Sequence, residues 1–238
     1  MKLTVLGKYG PYPGAGGATT SYLLECGGKK LLIDAGSGSL SRVQEYCALE
    51  ELDGIILTHL HSDHCSDMFI LRYLRTDHMP PVFMPCTPET EYGVLQSSKK
   101  FEITGISEDL SLQWTDTDIK LSFCRTIHPV ECYAVKVESE GKTFVFTGDS
   151  RYSEKLTEFC SGVDALLCDS GFLSSQEDTG SLPHMYVREA GVTAKKAGVK
   201  RLWLSHINPS YDEGEILKEA KGEFAESLVV QEFAQYEV

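Results

Sequence analysis

The stretch that most constrains this chain is His59-Leu60-His61-Ser62-Asp63-His64. Before it runs Gly54-Ile55-Ile56-Leu57, an apolar segment that reads as a buried strand. After it comes Met68-Phe69-Ile70-Leu71-Arg72-Tyr73-Leu74, which reads as a buried helix. The hexapeptide therefore occupies a strand-to-helix turn. Alternate residues of an extended chain point the same way, so His59 and His61 converge on one point. The turn that follows re-aims Asp63 and His64 toward a second point nearby. A lone histidine near a strand end is usually an ordinary polar residue. Three imidazoles and a carboxylate so close together predict a two-metal site rather than a four-ligand structural one.

Length and composition set the frame. At 238 residues, 42% hydrophobic and 24% charged, the chain suits one large domain, 1–238, with an ample core. It opens on a strand-like run, Lys2-Leu3-Thr4-Val5-Leu6, without the pattern of a signal peptide. No apolar run approaches the roughly 18 residues a membrane span needs, so no membrane partner is expected. None of the eight cysteines forms a Cys-x-x-Cys pair, and several fall in apolar runs. They read as reduced thiols of a cytoplasmic protein. The net charge of −13 repels polyanions. Tight binding to a nucleic-acid backbone needs several Lys or Arg contacts to phosphate. A long nucleic acid is therefore a disfavoured partner, although bound divalent metals would reverse the sign locally.

Around the hexapeptide the chain alternates short elements. Residues 7–19 are a loop rich in Gly, Pro and Tyr, a candidate border of a site or a simple connection, that lacks the Gly-Lys-Ser/Thr of a phosphate-binding P-loop. Thr20 to Glu25 and Lys30 to Ile33 are strands joined by a Gly27-Gly28 hairpin turn, and Asp34 to Gly38 turns the chain again. Leu40, Val43, Tyr46 and Cys47 predict a helix over 39–49. Residues 79–118 are the least legible, with a short strand at 82–84 and a helix after Pro88. Strands follow at 119–124, 132–137, 142–146, 165–168 and 201–204, a helix at 184–197 ending before Gly198, and then a short helix near 213–221 and a strand near 227–231. Early hairpins followed by strand–helix alternation predict sheets flanked by helices.

His128 and His206 come just after apolar strands, and so does Asp149. Each alone is unremarkable, since an Asp there is usually a turn residue. Together they repeat one pattern, a metal-binding side chain at the end of a buried strand, where active sites in open sheets are found. His78, beside Met79-Pro80-Pro81, reads as ordinary surface. Neutral imidazoles bind Zn²⁺ well but remove no charge, so two dications close together need carboxylates, one of which can bridge them. A hydroxide between such ions is a nucleophile available near neutral pH.

His-x-His-x-Asp-His after a strand ending in Thr58 resembles the signature of the metallo-beta-lactamase superfamily. The resemblance covers nearly the whole chain. It implies an α/β, four-layer αββα sandwich with the site along one edge of two sheets. It also implies a ligand set: His59, His61 and His128 for one metal, Asp63, His64 and His206 for the other, and Asp149 between them. An aspartate rather than a cysteine at Asp149 points away from the best-known metallo-beta-lactamases, toward phosphodiesterases and glyoxalase II. The stretch from Pro183-His184-Met185 through Ser205-His206 is similar to the C-terminal part of ribonuclease Z and its phosphodiesterase relatives. There a histidine at the position of His184 helps protonate the leaving group, which makes His184 the candidate general acid beside Asp63 and Asp149. Asp169, also at a strand end, is a candidate to orient it.

The chain also departs from ribonuclease Z. It lacks a long insertion for the tRNA-binding arm, and Ser210 stands where an arginine is typical. With the acidic charge, these differences point away from a long RNA substrate, and the chain reads as a hydrolase whose mixed ligands suit two divalent metal ions, Zn²⁺ foremost and Mn²⁺ or Fe²⁺ as well. Its expected substrate is a small or cyclic phosphodiester, and a homodimer is the expected assembly. The competing readings are an RNA endonuclease like ribonuclease Z, a thioesterase or lactonase acting at a carbonyl carbon, and a binding protein on a retained metal site.

Overall fold

The computed structural model describes residues 1–176 and 182–238. Among them, strands form two seven-stranded sheets. The first sheet has the order β14-β1-β2-β3-β4-β5-β6. Its strands are β1 (Lys2–Gly7), β2 (Ser21–Cys26), β3 (Lys29–Ile33), β4 (Gly54–Ile56), β5 (Val82–Met84), β6 (Ile103–Gly105) and β14 (Gln235–Glu237). The second has the order β13-β12-β11-β10-β9-β8-β7. It comprises β7 (Ser111–Gln113), β8 (Lys120–Arg125), β9 (Tyr133–Ser139), β10 (Lys142–Phe146), β11 (Ala165–Asp169), β12 (Leu202–Ser205) and β13 (Ser227–Val229).

Strand periodicity explains how these sheets stack. Successive side chains on a strand face opposite ways. On β3, Leu31 and Ile33 enter the core between the sheets, while Leu32 joins a second core on the outer face. On β10, Phe144 and Phe146 point inward and Val145 outward. Strands apolar on both faces must be covered on both faces. The helices α1 (Ser39–Val43), α3 (Met68–Leu71) and α4 (Glu89–Ser97) cover the first sheet through Leu40, Val43, Met68 and Leu95. The helices α5 (Glu154–Phe159), α6 (Val187–Ala197) and α7 (Glu213–Glu223) cover the second through Leu156, Ala190, Ala194 and Ile216. The result is the expected αββα sandwich. The small residues of α6 matter here: a Cβ on Gly191 would lie 2.8 Å from Glu223 Cβ on α7, so the two helices approach closely.

The topology brings many strand ends to one edge. β3, β4, β5 and β6 run parallel in the first sheet, and β10, β11, β12 and β13 run parallel in the second. Asp34 follows β3, the hexapeptide follows β4, Asp149 follows β10, Asp169 ends β11 and His206 follows β12. All therefore leave carboxyl ends of parallel strands, the customary place for a site.

Several local expectations differ. The predicted helix 39–49 stops at Val43, because the amides of Tyr46 and Cys47 both donate to Val43 O and close a turn. The run 68–74 is helical only to Leu71, and Ile70 and Tyr73 are 63% and 69% exposed rather than buried. The helix predicted from residue 184 starts at Val187, leaving His184 in the preceding turn. Residues 79–118 contain β5, α4, β6 and β7. All eight cysteines are free, and all but Cys86 are buried. No helix among the described residues is long and apolar enough to cross a membrane.

Trp203 is the largest fully buried side chain, packed 6.2 Å from Phe144 and 5.3 Å from Tyr236 between ring centres. Trp203→Ala is expected to cost about 3–5 kcal/mol. Urea unfolding should show a lower midpoint at unchanged slope.

Candidate metal centre

The hexapeptide does not continue β4 as an extended strand. Residues 57–61 are irregular, and His61 is the extended residue that precedes a four-residue helix, α2 (Ser62–Cys65). The convergence expected of His59 and His61 is nevertheless present: His59 Nε2 lies 3.1 Å from His61 Nδ1. His128 Nε2 reaches the same His61 nitrogen at 3.1 Å, and Asp149 Oδ2 is 3.5 Å from His59 Nε2. One ligand atom from each of these four residues lies within 4.8 Å of all the others. Asp63, His64 and His206 form a second such group. His64 Nε2 and His206 Nε2 are 3.6 Å and 3.2 Å from Asp63 Oδ2. Asp149 stands between the groups, with Oδ1 3.3 Å from His64 Nε2 and Oδ2 3.5 Å from His206 Nε2.

These spacings test the fit of a metal. Donors about 2.0–2.1 Å from a tetrahedral Zn²⁺ lie roughly 3.3–3.4 Å apart, close to the separations in both groups. His64 Nε2 and Asp149 Oδ1 are buried with no hydrogen-bond partner. A buried polar atom left unsatisfied costs about 1–3 kcal/mol, and a cation shared by both atoms would satisfy them. The residues present fit divalent cations.

Electrostatics divides the histidines. Burial, and after it the neighbouring His64, hold His59 well below its ordinary pKa. Burial likewise lowers His61 and His128 against the pull of Asp149. For His64 burial opposes the charge, but Asp149, Asp63 and Asp34 outweigh it and raise the pKa well above the ordinary value. The same contest pushes His206 up to about 10, through Asp149, Asp169 and Asp63. Asp149 is held well below the carboxylate range, because His206, His64, His59 and His184 together overcome its burial.

His184 sits at the rim. Its Nδ1 bonds Asp169 Oδ2 at 2.9 Å and lies 3.7 Å from Asp149 Oδ2. Asp169 is fully buried and accepts from the amides of Ser150 and Gly171, each at 3.1 Å. The expected Asp169–His184 pair is therefore present, on a rigidly held carboxylate. A cluster of Asp149, Asp169, His184 and His206 also meets within 4.8 Å. There, however, Asp169 and His184 already satisfy each other. His78 is exposed and belongs to none of these groups.

Three further residues complete the arrangement. Asp34, a turn residue by pattern, is fully buried and accepts from the Thr58 amide at 2.7 Å, Thr58 Oγ1 at 2.9 Å and His64 Nδ1 at 2.7 Å. It fixes the His64 ring so that Nε2 faces Asp149. Arg125 Nη1 donates to the carbonyls of Thr126, Val130 and Cys132 at 3.4, 3.2 and 3.0 Å, which shapes the turn presenting His128. Gly10 lies directly against His206, where a Cβ would come within 2.0 Å of Nε2. Thus the Gly/Pro-rich loop does border the site. The signal for Asp34 was available: like Asp149 and Asp169, it follows an apolar strand.

Removing Asp34 frees the His64 ring. Asp34→Ala is expected to weaken zinc binding by about 10–100-fold. Calorimetric titration of the metal-free protein would measure the change.

Comparison with known proteins agrees with the geometry. Residues 29–207 match the Beta-lactamase superfamily domain. Probable metallo-hydrolase YhfI of Bacillus subtilis is 34% identical over 232 residues, spanning 94% of each chain. The crystal structure of YhfI, described as a metallo-beta-lactamase fold protein, superposes with a TM-score of 0.90 at 31% identity and covers 99% of each chain. Ribonuclease Z of Archaeoglobus fulgidus is 23% identical over 301 residues, covering 100% of this chain and 98% of that protein.

Proposed function

The chain belongs to the beta-lactamase superfamily, and from that membership we propose that it is a metallo-hydrolase, specifically a phosphodiesterase acting on a small or cyclic phosphodiester. In this reading His59, His61 and His128 hold one divalent cation, Asp63, His64 and His206 hold the other, and Asp149 reaches both. The mixed imidazole and carboxylate donors suit Zn²⁺, and Mn²⁺ or Fe²⁺ as well. Such ions, when bound, supply an activated water and stabilise charge developing on phosphoryl oxygens.

The observation that carries the phosphodiesterase reading is the His184–Asp169 pair, 2.9 Å apart at the rim of the cluster. Burial opposes a charge on His184, but Asp169 and Asp149 outweigh it and raise its pKa. With Nδ1–H donating to Asp169, Nε2 is the atom that delivers a proton to a departing oxygen. Opening a phosphodiester expels an alkoxide, which must be protonated as it leaves. Cleavage of a thioester needs no such acid, because a thiolate leaves readily. Asp63, beside His206, and Asp149 keep the imidazoles in place and carry the negative charge that the cations need.

The likeness to ribonuclease Z supports a second reading, an RNA endonuclease. The net charge of −13 weighs against it. So does Ser210, which bonds only within its own turn, to Asn208 Oδ1.

The test compares diesters whose leaving groups differ in basicity, alongside a thioester, a lactone and a single-stranded RNA. His184→Ala is expected to lower kcat by about 10²–10⁴-fold on a diester with an alkoxide leaving group. The loss should be much smaller on bis(p-nitrophenyl) phosphate, whose leaving group needs little protonation. Metal content should be unchanged, and Asp169→Asn should show a milder version of the same pattern. Equal losses on both diesters would remove His184 from the acid role. Turnover of the thioester or lactone alone, indifferent to the substitution, would move the chain to carbonyl chemistry.

A further inference from the structure

Beside His128 lies a cavity of about 250 Å³ lined by Ile127, His128, Pro129, Arg151 and Pro183. Among the five described residues that line it, three are aliphatic. Ile127 is 50% exposed, a large apolar side chain left uncovered at the mouth. The cavity is tied to the metal centre at two points. His128 is one of its walls, and the carbonyl of Pro183, another wall, lies 3.2 Å from His128 Nδ1. The Arg151 amide donates to Ile127 O at 3.0 Å, which fixes the two lining segments against each other.

Arg151 differs from the other arginines at this edge. Arg125 is occupied by three backbone carbonyls, and Arg42 by Glu232 Oε1 and Gly16 O. The Arg151 guanidinium has no hydrogen-bond or ion-pair partner among the described residues. In a chain of net charge −13, an uncommitted guanidinium at the lip of a carboxylate-rich centre is a recognition element in want of a ligand.

Resting on the phosphodiesterase reading, we propose that this cavity is the subsite for the organic group esterified to the phosphoryl centre, a flat ring such as a nucleobase. A small anion would gain nothing from three aliphatic walls, and an alkyl chain would gain nothing from Arg151. A ring with acceptors on its edge uses both. Ile127, Pro129 and Pro183 cover its faces, while the planar guanidinium stacks on it or donates to its edge. Arg151 is then a specificity-determining residue, and the adjoining His128 faces the phosphoryl group.

The test reads binding to the zinc-loaded protein by calorimetry, using adenosine 5′-monophosphate and methyl phosphate as probes. Wild type is expected to bind the nucleotide about tenfold or more tightly than methyl phosphate, the increment of one stacked base. Arg151→Ala and Ile127→Ala should each remove most of that preference, with affinity for methyl phosphate and metal content unchanged. Arg151→Lys, which keeps the charge but not the plane, should restore only part of it. Equal affinity for the two probes in wild type, or a preference that survives both alanine substitutions, overturns the proposal. A preference that disappears as expected, in a protein that turns over no phosphodiester, supports the subsite and overturns the phosphodiesterase reading alone.

Discussion

Charge balance in a buried pocket governs this molecule. Asp34, Asp149 and Asp169 are buried to within 1% of full burial, beside His59, His64 and His206, which are equally buried. An isolated charge in such surroundings costs several kcal/mol, so each must face an opposite charge or a donor. The contacts form a chain in which every carboxylate is linked to the next through an imidazole. Asp34 meets His64, His64 meets Asp149, Asp149 meets His206, His206 Nδ1 comes within 3.4 Å of Asp169, and Asp169 bonds His184. Removing His64 from it leaves the buried Asp34 without its opposite charge. This explains why so polar a cluster persists at the edge of an apolar sandwich.

The backbone bends to place these groups. Asp34 and His206 adopt left-handed conformations, with φ of 58° and 53°, and Gly148 does so with φ of 57° just before Asp149. Non-glycine residues held this way cost of order 1–3 kcal/mol and persist where the surroundings over-determine them. At Asp34 the surroundings are three hydrogen bonds to the carboxylate. At His206 they are Tyr22 OH bonding Ser205 Oγ at 2.6 Å on one side and the Gly10 loop on the other. In each case a parallel strand delivers the residue, and a left-handed step turns its side chain back over the sheet edge.

What could be read from the sequence divides along the same lines. The hexapeptide, His128, Asp149 and His206 were legible because metal-binding residue types at the ends of apolar strands form a local pattern. Asp34 has the same strand-end position but was silent as to its role, because its partners lie 24 and 30 residues downstream. Arg125 was equally silent, since a guanidinium engaged by backbone carbonyls has no sequence signature. The central strands declared themselves through apolar runs. β6, β7 and β14 did not, being three-residue edge strands whose stability comes from their neighbours. Tyr46 and Cys47 pack at helical spacing without a helix, because the apolar pattern records burial and the turn after Val43 achieves the same burial.

The loop over His206 ties the two extremes of the chain together. Gly10 donates to Ile207 O, and the loop is held down by Arg42 and Glu232, which meet across 190 residues. Glu232 Oε1 also accepts from the Ala18 amide at 2.8 Å. By contrast, His59, His61, His128 and Asp149 are all in hand once the first 149 residues exist. During synthesis from the N-terminus, then, the pocket matures in halves. The ligands of the first group are made early, but the loop over His206 cannot be held down until Glu232 has been made.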